Sequence, residues 1–221
     1  MNFKIESFFK AFELIAKGLP ITLSVALIAM IIGLVLGIGV ALLRRRYEGL
    51  AGHFLGMYVS IFRGTPLMVQ LFIFFYGIPQ LIPSFGAINA FQASIIVMSI
   101  NASAYISEVV RGALNAVDRG QLEAGLAVGM TRFQVMERII LPQALRIAIP
   151  PLGNTFVSLI QGTAITFMLG LKDIMGLSKM QAAASYRFFE TFLAVGVVYW
   201  IITWVASYGN KKLEEKMSYG K

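Results

Sequence analysis

The chain has 221 residues, of which 57% are hydrophobic and 14% charged, and its formal net charge is +8. Soluble domains have about a quarter of their residues charged, so this composition indicates an integral membrane protein. The absence of cysteine excludes disulfides, thiol catalysis and cysteine-based metal sites. The single histidine, His53, is expected to be an interfacial residue, so no metal site is predicted.

The N-terminal segment is expected to form a helix that lies in the membrane interface. Phe8, Phe12, Ile15 and Leu19 recur at helical spacing, opposite charged residues, which is typical of an amphipathic helix.

Four stretches free of Asp, Glu, Lys and Arg follow, and each can hold a membrane-spanning helix of about 20 residues. They are residues 18–43, 64–107, 147–171 and 191–210. The second stretch is interrupted by "GIPQLIPSFG", whose prolines and glycines predict a turn between two spans. The sequence therefore predicts an all-α membrane protein with five transmembrane helices in one domain, residues 1–221.

The first two spans carry local signals of their own. Gly33 and Gly37 lie four residues apart on span one, a spacing that allows another helix to approach closely. Thr65 and Pro66 predict the start of span two, with Thr65 as the N-cap and Pro66 as the first helical residue.

Span three has a polar face, because Ser94, Asn101, Tyr105 and Glu108 keep helical register along it. These groups either bond to neighbouring helices or line a pathway for a polar substrate. Glu108 can equally pair with Arg111, one turn further on.

Span four is irregular, because prolines and glycines occur among its apolar residues, and Asn154, Ser158 and Gln161 share one face. Interrupted spanning helices often build transport sites near the membrane midplane, although close helix packing would explain the same residues. The candidate substrate contacts on the two spans are Ser94, Asn101, Tyr105, Asn154, Ser158, Gln161 and Thr163.

The basic residues are distributed unevenly between the two sides of the predicted bundle. Twelve of the 19 Lys and Arg residues lie after span one, between Arg111 and Arg146, or in the tail after Asn210. Because Lys and Arg accumulate on the cytoplasmic side, the N-terminus is expected outside and the C-terminus in the cytoplasm.

The cytoplasmic segment at about residues 111–146 predicts a helix-turn-helix. Asp118 and Thr131, each followed three residues later by glutamine, are candidate helix caps. Gly129 is the expected stop between the helices, and Pro142 the expected end of the unit. Charges from residue 118 to 142 balance to zero, unlike a nucleic-acid-binding face, so the segment is interpreted as a protein-docking element.

This segment resembles the EAA loop of permease subunits in ATP-binding-cassette (ABC) importers, and "FRGTPLMVQLFIFFYGIP" and "LPQALRIAIPPLGN" are similar to the polar-amino-acid branch. Gly125 departs from the pattern, where alanine is usual. The matching positions, which the resemblance assigns to coupling with a separate ATPase, are Glu123, Ala124, Gly125, Gly129, Ile139, Leu141 and Pro142.

The resemblance also implies a bacterial or archaeal inner membrane, ATPase subunits that bind ATP-Mg, a second permease that is identical or different, and an extracytoplasmic amino-acid-binding protein. Independently, the chain has no G-x-x-x-x-G-K-[ST], so a nucleotide is expected on a partner and no cofactor on this chain. Members of the family often have Lys-Asp-Thr-Ser where residues 161–164 read Gln-Gly-Thr-Ala. An uncharged polar substrate, such as cystine or glutamine, is therefore favoured.

Two other classes of membrane protein agree less well with the sequence than an importer permease does. A secondary transporter driven by an ion gradient would leave the docking loop without a purpose, and the sequence has no obvious internal repeat. A membrane-embedded enzyme would need a nucleophile with a base or a metal cluster, and none is evident.

Overall fold

Helices make up all of the regular structure in residues 3–47 and 49–218, the parts of the chain that the computed structural model describes. Lys221, which the sequence places in the basic tail, lies outside them. The α-helices in chain order are α1 (Ile5–Ala16), α2 (Leu19–Arg46), α3 (Leu50–Gly64), α4 (Leu67–Phe72), α5 (Ile78–Leu81), α6 (Ala90–Ala116), α7 (Arg119–Ala127), α8 (Arg132–Val135), α9 (Leu141–Gly162), α10 (Ile174–Ser185) and α11 (Phe188–Ser218).

Short irregular helices connect or extend these elements. Ile73–Gly77 and Met136–Ile140 are π-helical turns, and Pro83–Ala87 and Thr163–Leu169 are 3-10 segments. Four helical stretches are long and apolar enough to cross a membrane, namely Leu19–Arg46, Ala90–Ala116, Arg132–Leu169 and Phe188–Met217. A fifth span exists if Leu50–Gly64 and Leu67–Leu81 are counted together, although they bend by 106°. The predicted fold class is confirmed, with the second span broken.

The break in the second span lies at Thr65 and Pro66, and it corrects the predicted helix start by one residue. Pro66 is the N-cap of α4, whereas the Thr65 hydroxyl donates a 2.8 Å hydrogen bond back to the Ile61 carbonyl of α3. A proline forces the residue before it into extended backbone, and Thr65 has φ −115° and ψ 144°. Helix α3 therefore ends there, and α4 leaves in a new direction.

Helix α2 packs along α6 through the two glycines that the sequence singled out. A Cβ atom on Gly33 would lie 3.0 Å from the Ala102 Cβ, and one on Gly37 would lie 2.8 Å from the Ile106 Cβ. The predicted close approach is confirmed. The buried residues of this core, which also includes α9, are Val25, Ala26, Ala29, Met98, Ala102, Ile106, Leu159, Ile160 and Leu171.

Helix α1 lies against the protein by its apolar face. Ala11 and Ile15 are buried against α10 and α11, where they meet Ile174 and Ala194, and Phe8 and Phe12 border the same cluster. The amphipathic helix expected at the N-terminus is present, and its apolar stripe is covered by these two helices.

Candidate functional site

The predicted helix-turn-helix is formed by α7 and α8, and Gly129 makes the turn between them. Gly129 has φ +84°, the left-handed conformation in which glycine has no steric penalty. The Met130 N–H donates to the Gly125 carbonyl and the Gly129 N–H to the Leu126 carbonyl, both at 3.0 Å. This pair of bonds is the Schellman motif that ends many helices, so the predicted helix stop is confirmed.

Both predicted caps are also present. Thr131 and Gln134 form a reciprocal capping box at the start of α8. Asp118 caps α7, but its Oδ1 accepts from the Gly120 N–H at 2.6 Å instead of forming a box with Gln121.

Pro142 does not end the unit, which corrects the sequence-based boundary. A continuous helical stretch runs from Arg132 to Leu169, so α8 passes directly into span four. The Leu141 N–H donates to the Met136 carbonyl, five residues back. This π-helical turn changes the bonding register just before the proline, where the missing N–H of Pro142 would otherwise break an α-helix. The loop and span four form one continuous helix as a result.

The seven residues that the resemblance assigns to coupling with an ATPase differ in solvent exposure. Glu123, Ala124, Gly129, Leu141 and Pro142 are exposed, Ile139 is half-buried and Gly125 is buried.

The tip of the loop also carries apolar side chains that reach solvent. Val128 is 77% exposed and Phe133 is 74% exposed. Large apolar side chains exposed on one short segment are typical of interaction sites. Met136 and Ile140, which follow on the same helical stretch, instead pack in a buried cluster with Val135.

A cavity of about 390 Å³ lies between α6 and α9. Four predicted substrate contacts line it together: Asn101 and Tyr105 from α6, and Asn154 and Ser158 from α9. The other lining residues were not predicted as substrate contacts, and they are Leu67, Met98, Ala102, Pro151, Thr155 and Leu159. No charged side chain occurs among the described residues that line this cavity.

Asn101 links the cavity wall to the break in span two. Its Nδ2 donates to the Phe62 carbonyl at 2.9 Å and to Gln70 Oε1 at 3.0 Å. Gln70 Nε2 in turn donates to the Phe62 carbonyl, the Thr65 carbonyl and the Thr65 hydroxyl. These bonds satisfy carbonyl groups that the end of α3 leaves unpaired, so the wall of the cavity also holds the bend.

Three other predicted contacts lie outside the lining of this cavity. The buried Ser94 hydroxyl donates to the Ala90 carbonyl at 2.7 Å, and the buried Thr163 hydroxyl donates to the Ile160 carbonyl at 2.7 Å. Gln161 is exposed. Periodicity identifies a polar face, but it does not show which part of that face meets the neighbouring helix.

The Glu108 carboxylate, on α6, forms ion pairs with arginines of α2, α3 and α6. It pairs with Arg44 of α2 at 2.5 Å and with Arg111 of α6 at 2.5 Å, while Arg63 of α3 lies at 3.9 Å. The predicted pairing with Arg111 is confirmed. Arg44 and Arg63, which the sequence did not connect with Glu108, are remote in the chain and become neighbours only through helix packing.

A buried carboxylate, Asp173, lies outside the spanning segments, at the start of α10. Asp173 is fully buried, and its Oδ1 accepts from the Gly176 N–H at 2.8 Å. Its Oδ2 and the Tyr199 hydroxyl are the two buried side-chain polar atoms without a hydrogen-bond partner in the described part of the chain. Burial raises the pKa of Asp173 to about 6, against the lowering effect of its backbone N–H donors.

Four helical spans and a bent fifth, a cavity between two spans that is partly lined by amides and hydroxyls, and a helix-turn-helix continuous with one span define the fold of a membrane permease. Residues 12–219 match the family described as "Binding-protein-dependent transport system inner membrane component". The chain belongs to this family, and is therefore a multi-pass transport subunit of the inner membrane, not an enzyme.

Relatives and a solved structure agree with this assignment. The chain is 44% identical over 213 residues to the "Probable amino-acid permease protein YxeN" of Bacillus subtilis, covering 96% of this chain and 95% of that one. It is 34% identical over 221 residues to the "Arginine transport system permease protein ArtQ" of the same organism, covering 98% of each. A structure described as "Crystal structure of an amino acid ABC transporter with histidines" has a TM-score of 0.89 and 32% identity, covering 98% of this chain and 100% of that one.

Proposed function

We propose that this chain is the permease subunit through which an ABC importer moves a polar amino acid into the cytoplasm, by way of the cavity between α6 and α9. One observation carries the proposal. Asn101, Tyr105, Asn154 and Ser158 come from two spans and line one space, and α9 continues without a break into the docking loop. Movement of the loop is thereby transmitted to one wall of the cavity.

The lining favours an amino acid with an uncharged polar side chain, such as cystine or glutamine. Placing a charge at membrane depth costs roughly 2.5 to 3.5 kcal/mol even on insertion scales, and no carboxylate in the described lining offsets it for a basic side chain. Amides and hydroxyls can still hydrogen-bond the ammonium and carboxylate groups of a zwitterion. Ser94, Gln161 and Thr163 lie outside the cavity and stay candidate contacts elsewhere on the pathway.

The loop from Glu123 to Pro142 docks on a separate ATPase subunit, which binds ATP-Mg. Exposed Val128 and Phe133 supply an apolar contact, and the exposed Glu123 supplies a charge at its edge. Gly125 is buried, and its lack of a side chain lets the two helices of the loop pack closely. Its contribution is therefore to the shape of the loop.

A second permease subunit, identical or different, closes the cavity. Tyr105 is 41% exposed, and Asn154 and Ser158 are also exposed, so one side of the space is open in a single chain. An extracytoplasmic binding protein delivers the amino acid to the outer end.

The N-terminus lies outside and the C-terminus in the cytoplasm. Cysteine reporters test this orientation. Reporters at Lys4 and Lys179 are expected to react from outside, while those at Arg45, Arg132 and Lys216 react only after permeabilisation. The opposite pattern would contradict a cytoplasmic docking loop.

The energy source is tested by uptake into proteoliposomes that contain the permease, its ATPase and its binding protein. Uptake of cystine or glutamine is expected to require enclosed ATP and to persist when a protonophore collapses the proton gradient. Uptake that follows the gradient without ATP would instead favour a secondary transporter.

A further inference from the structure

A cavity of about 220 Å³ lies between the C-terminal ends of α2 and α6, far along both helices from the α6–α9 cavity. Six residues line it: Ala41, Arg44, Arg45, Arg111, Leu114 and Asn115. Three guanidinium groups and a side-chain amide therefore face one small space. Nothing in the proposed transport route uses this cavity.

Its charge is not balanced by the acidic residues of the described chain. Glu108 is shared between Arg44 and Arg111, and Arg63 lies at 3.9 Å from the same carboxylate. Arg45 has no acidic partner within 4.0 Å in the described ranges. The guanidinium group binds phosphate oxygens in a forked geometry, so the excess positive charge suits a phosphate group.

The cavity lies at the apolar end of a spanning helix. Leu42 and Leu43 are on other faces of α2 than the cavity and are 53% and 45% exposed, which indicates that this end of α2 is at a depth where acyl chains are available. Basic pockets between spanning helices on the cytoplasmic side bind the headgroups of anionic lipids. The placement in the cytoplasmic leaflet rests on the proposed orientation.

We propose that the cavity formed by Arg44, Arg45 and Arg111 binds the phosphate of an anionic phospholipid, whose acyl chains lie in the hydrocarbon around the end of α2. The lipid bridges α2 and α6 at their cytoplasmic ends, beside the ion pairs of Glu108. Free phosphate has the same headgroup chemistry but lacks acyl chains to reach the hydrocarbon.

The test measures thermal stabilisation of the full-length permease in detergent by phosphatidylglycerol, by phosphatidylcholine and by inorganic phosphate. Arg45→Gln removes the arginine of the cavity that forms no ion pair with Glu108. Arg46→Gln is the matched control, because Arg46 is adjacent, stacks on the Tyr47 ring at 5.7 Å and does not line the cavity. Native mass spectrometry of the same samples counts retained lipid.

Phosphatidylglycerol is expected to stabilise the native chain and the Arg46→Gln variant, with an apparent affinity that falls at least about tenfold in Arg45→Gln. Phosphatidylcholine and inorganic phosphate are expected to have little effect. Equal stabilisation by inorganic phosphate would assign the cavity to a free anion and overturn the proposal. An equal loss in both variants, or no preference for phosphatidylglycerol, would also overturn it.

Discussion

Gly125 of α7 and Val135 of α8 are in direct contact between the two helices of the docking loop. A Cβ atom on Gly125 would lie 2.5 Å from Val135 Cγ2 and 3.2 Å from Cγ1. Both residues are buried. The glycine that departs from the usual alanine of the EAA loop is therefore matched to the β-branched residue that it meets.

Restoring the usual residue is expected to harm this chain. Gly125→Ala should overpack the contact, at a cost of about 1 to 3 kcal/mol, and lower substrate-stimulated ATP hydrolysis by the assembled complex. Val135→Ala removes the two methyl groups in conflict, so the double variant Gly125→Ala/Val135→Ala should recover activity relative to Gly125→Ala.

A double-mutant cycle on the thermal midpoint and on ATP hydrolysis measures this coupling. Additive losses in the double variant would contradict the explanation of Gly125 by Val135.

The turn at Gly129 is expected to tolerate only residues that accept a positive φ. Gly129→Val forces a β-branched residue into φ +84°, which costs about 1 to 3 kcal/mol, and should weaken association with the ATPase. Gly129→Asn should retain more association, because asparagine visits this conformation. Co-purification of the ATPase is the measurement.

The control for Gly129 is Ala127→Val, which places the same side chain at an exposed position of α7. If Gly129→Val transports normally, the turn is not required for coupling.

Gln70 is expected to hold the bend of the second span. Gln70→Leu removes the donor to the Thr65 carbonyl and the acceptor for Asn101, at about 1 to 3 kcal/mol for the groups left unpaired. The thermal midpoint and the apparent affinity for the transported amino acid should both fall, because Asn101 lines the cavity.

Gln80→Leu provides a comparison at an exposed glutamine, whose Nε2 donates to the Tyr76 carbonyl in its own helical stretch. Equal effects of the two substitutions would remove the specific role of Gln70.

Because of Asp173, the protein is expected to be more stable in mild acid than at pH 8. Its pKa in the folded protein is about 6, above the ordinary 3.8, so the folded state binds the proton more tightly than the unfolded state. The contribution of this proton is full below about pH 4 and is lost as the pH rises through 6.

Asp173→Asn keeps an acceptor for the Gly176 N–H and removes the charge. It should raise the stability at pH 8 by about 1 to 3 kcal/mol and flatten the pH dependence of the thermal midpoint between about pH 4 and 7. Asp118→Asn, at an exposed helix cap, is the control. An unchanged pH profile in Asp173→Asn would contradict the raised pKa.

Much of the fold follows from the sequence because bilayer thickness fixes the length of a span. The charge-free stretches, the glycines at 33 and 37, and the caps at Asp118 and Thr131 each have a local cause. The break at Pro66 and the continuity at Pro142 could not be told apart from the sequence. Both prolines precede helical residues, and only the π-helical turn before Pro142 keeps the axis continuous.

The cavity was predictable only in part, for a related reason. Helical register grouped Asn101 with Tyr105 and Asn154 with Ser158, but which arcs of α6 and α9 face each other depends on packing against α2. Gln161, three residues beyond Ser158, is exposed outside the cavity, and Thr163, five residues beyond Ser158, is buried with its hydroxyl bonded to the Ile160 carbonyl.

The central claim is that an amino acid crosses between α6 and α9, and uptake by a blocked cavity tests it most directly. Ser158→Trp fills the space from the α9 side, while Ile201→Trp places the same side chain at a residue that is 42% exposed on α11. ATP-driven uptake of radiolabelled cystine and glutamine by the reconstituted complex is expected to fall at least about tenfold in Ser158→Trp and to stay near the native rate in Ile201→Trp. Native uptake with unchanged apparent affinity in Ser158→Trp would place the pathway elsewhere and contradict the account.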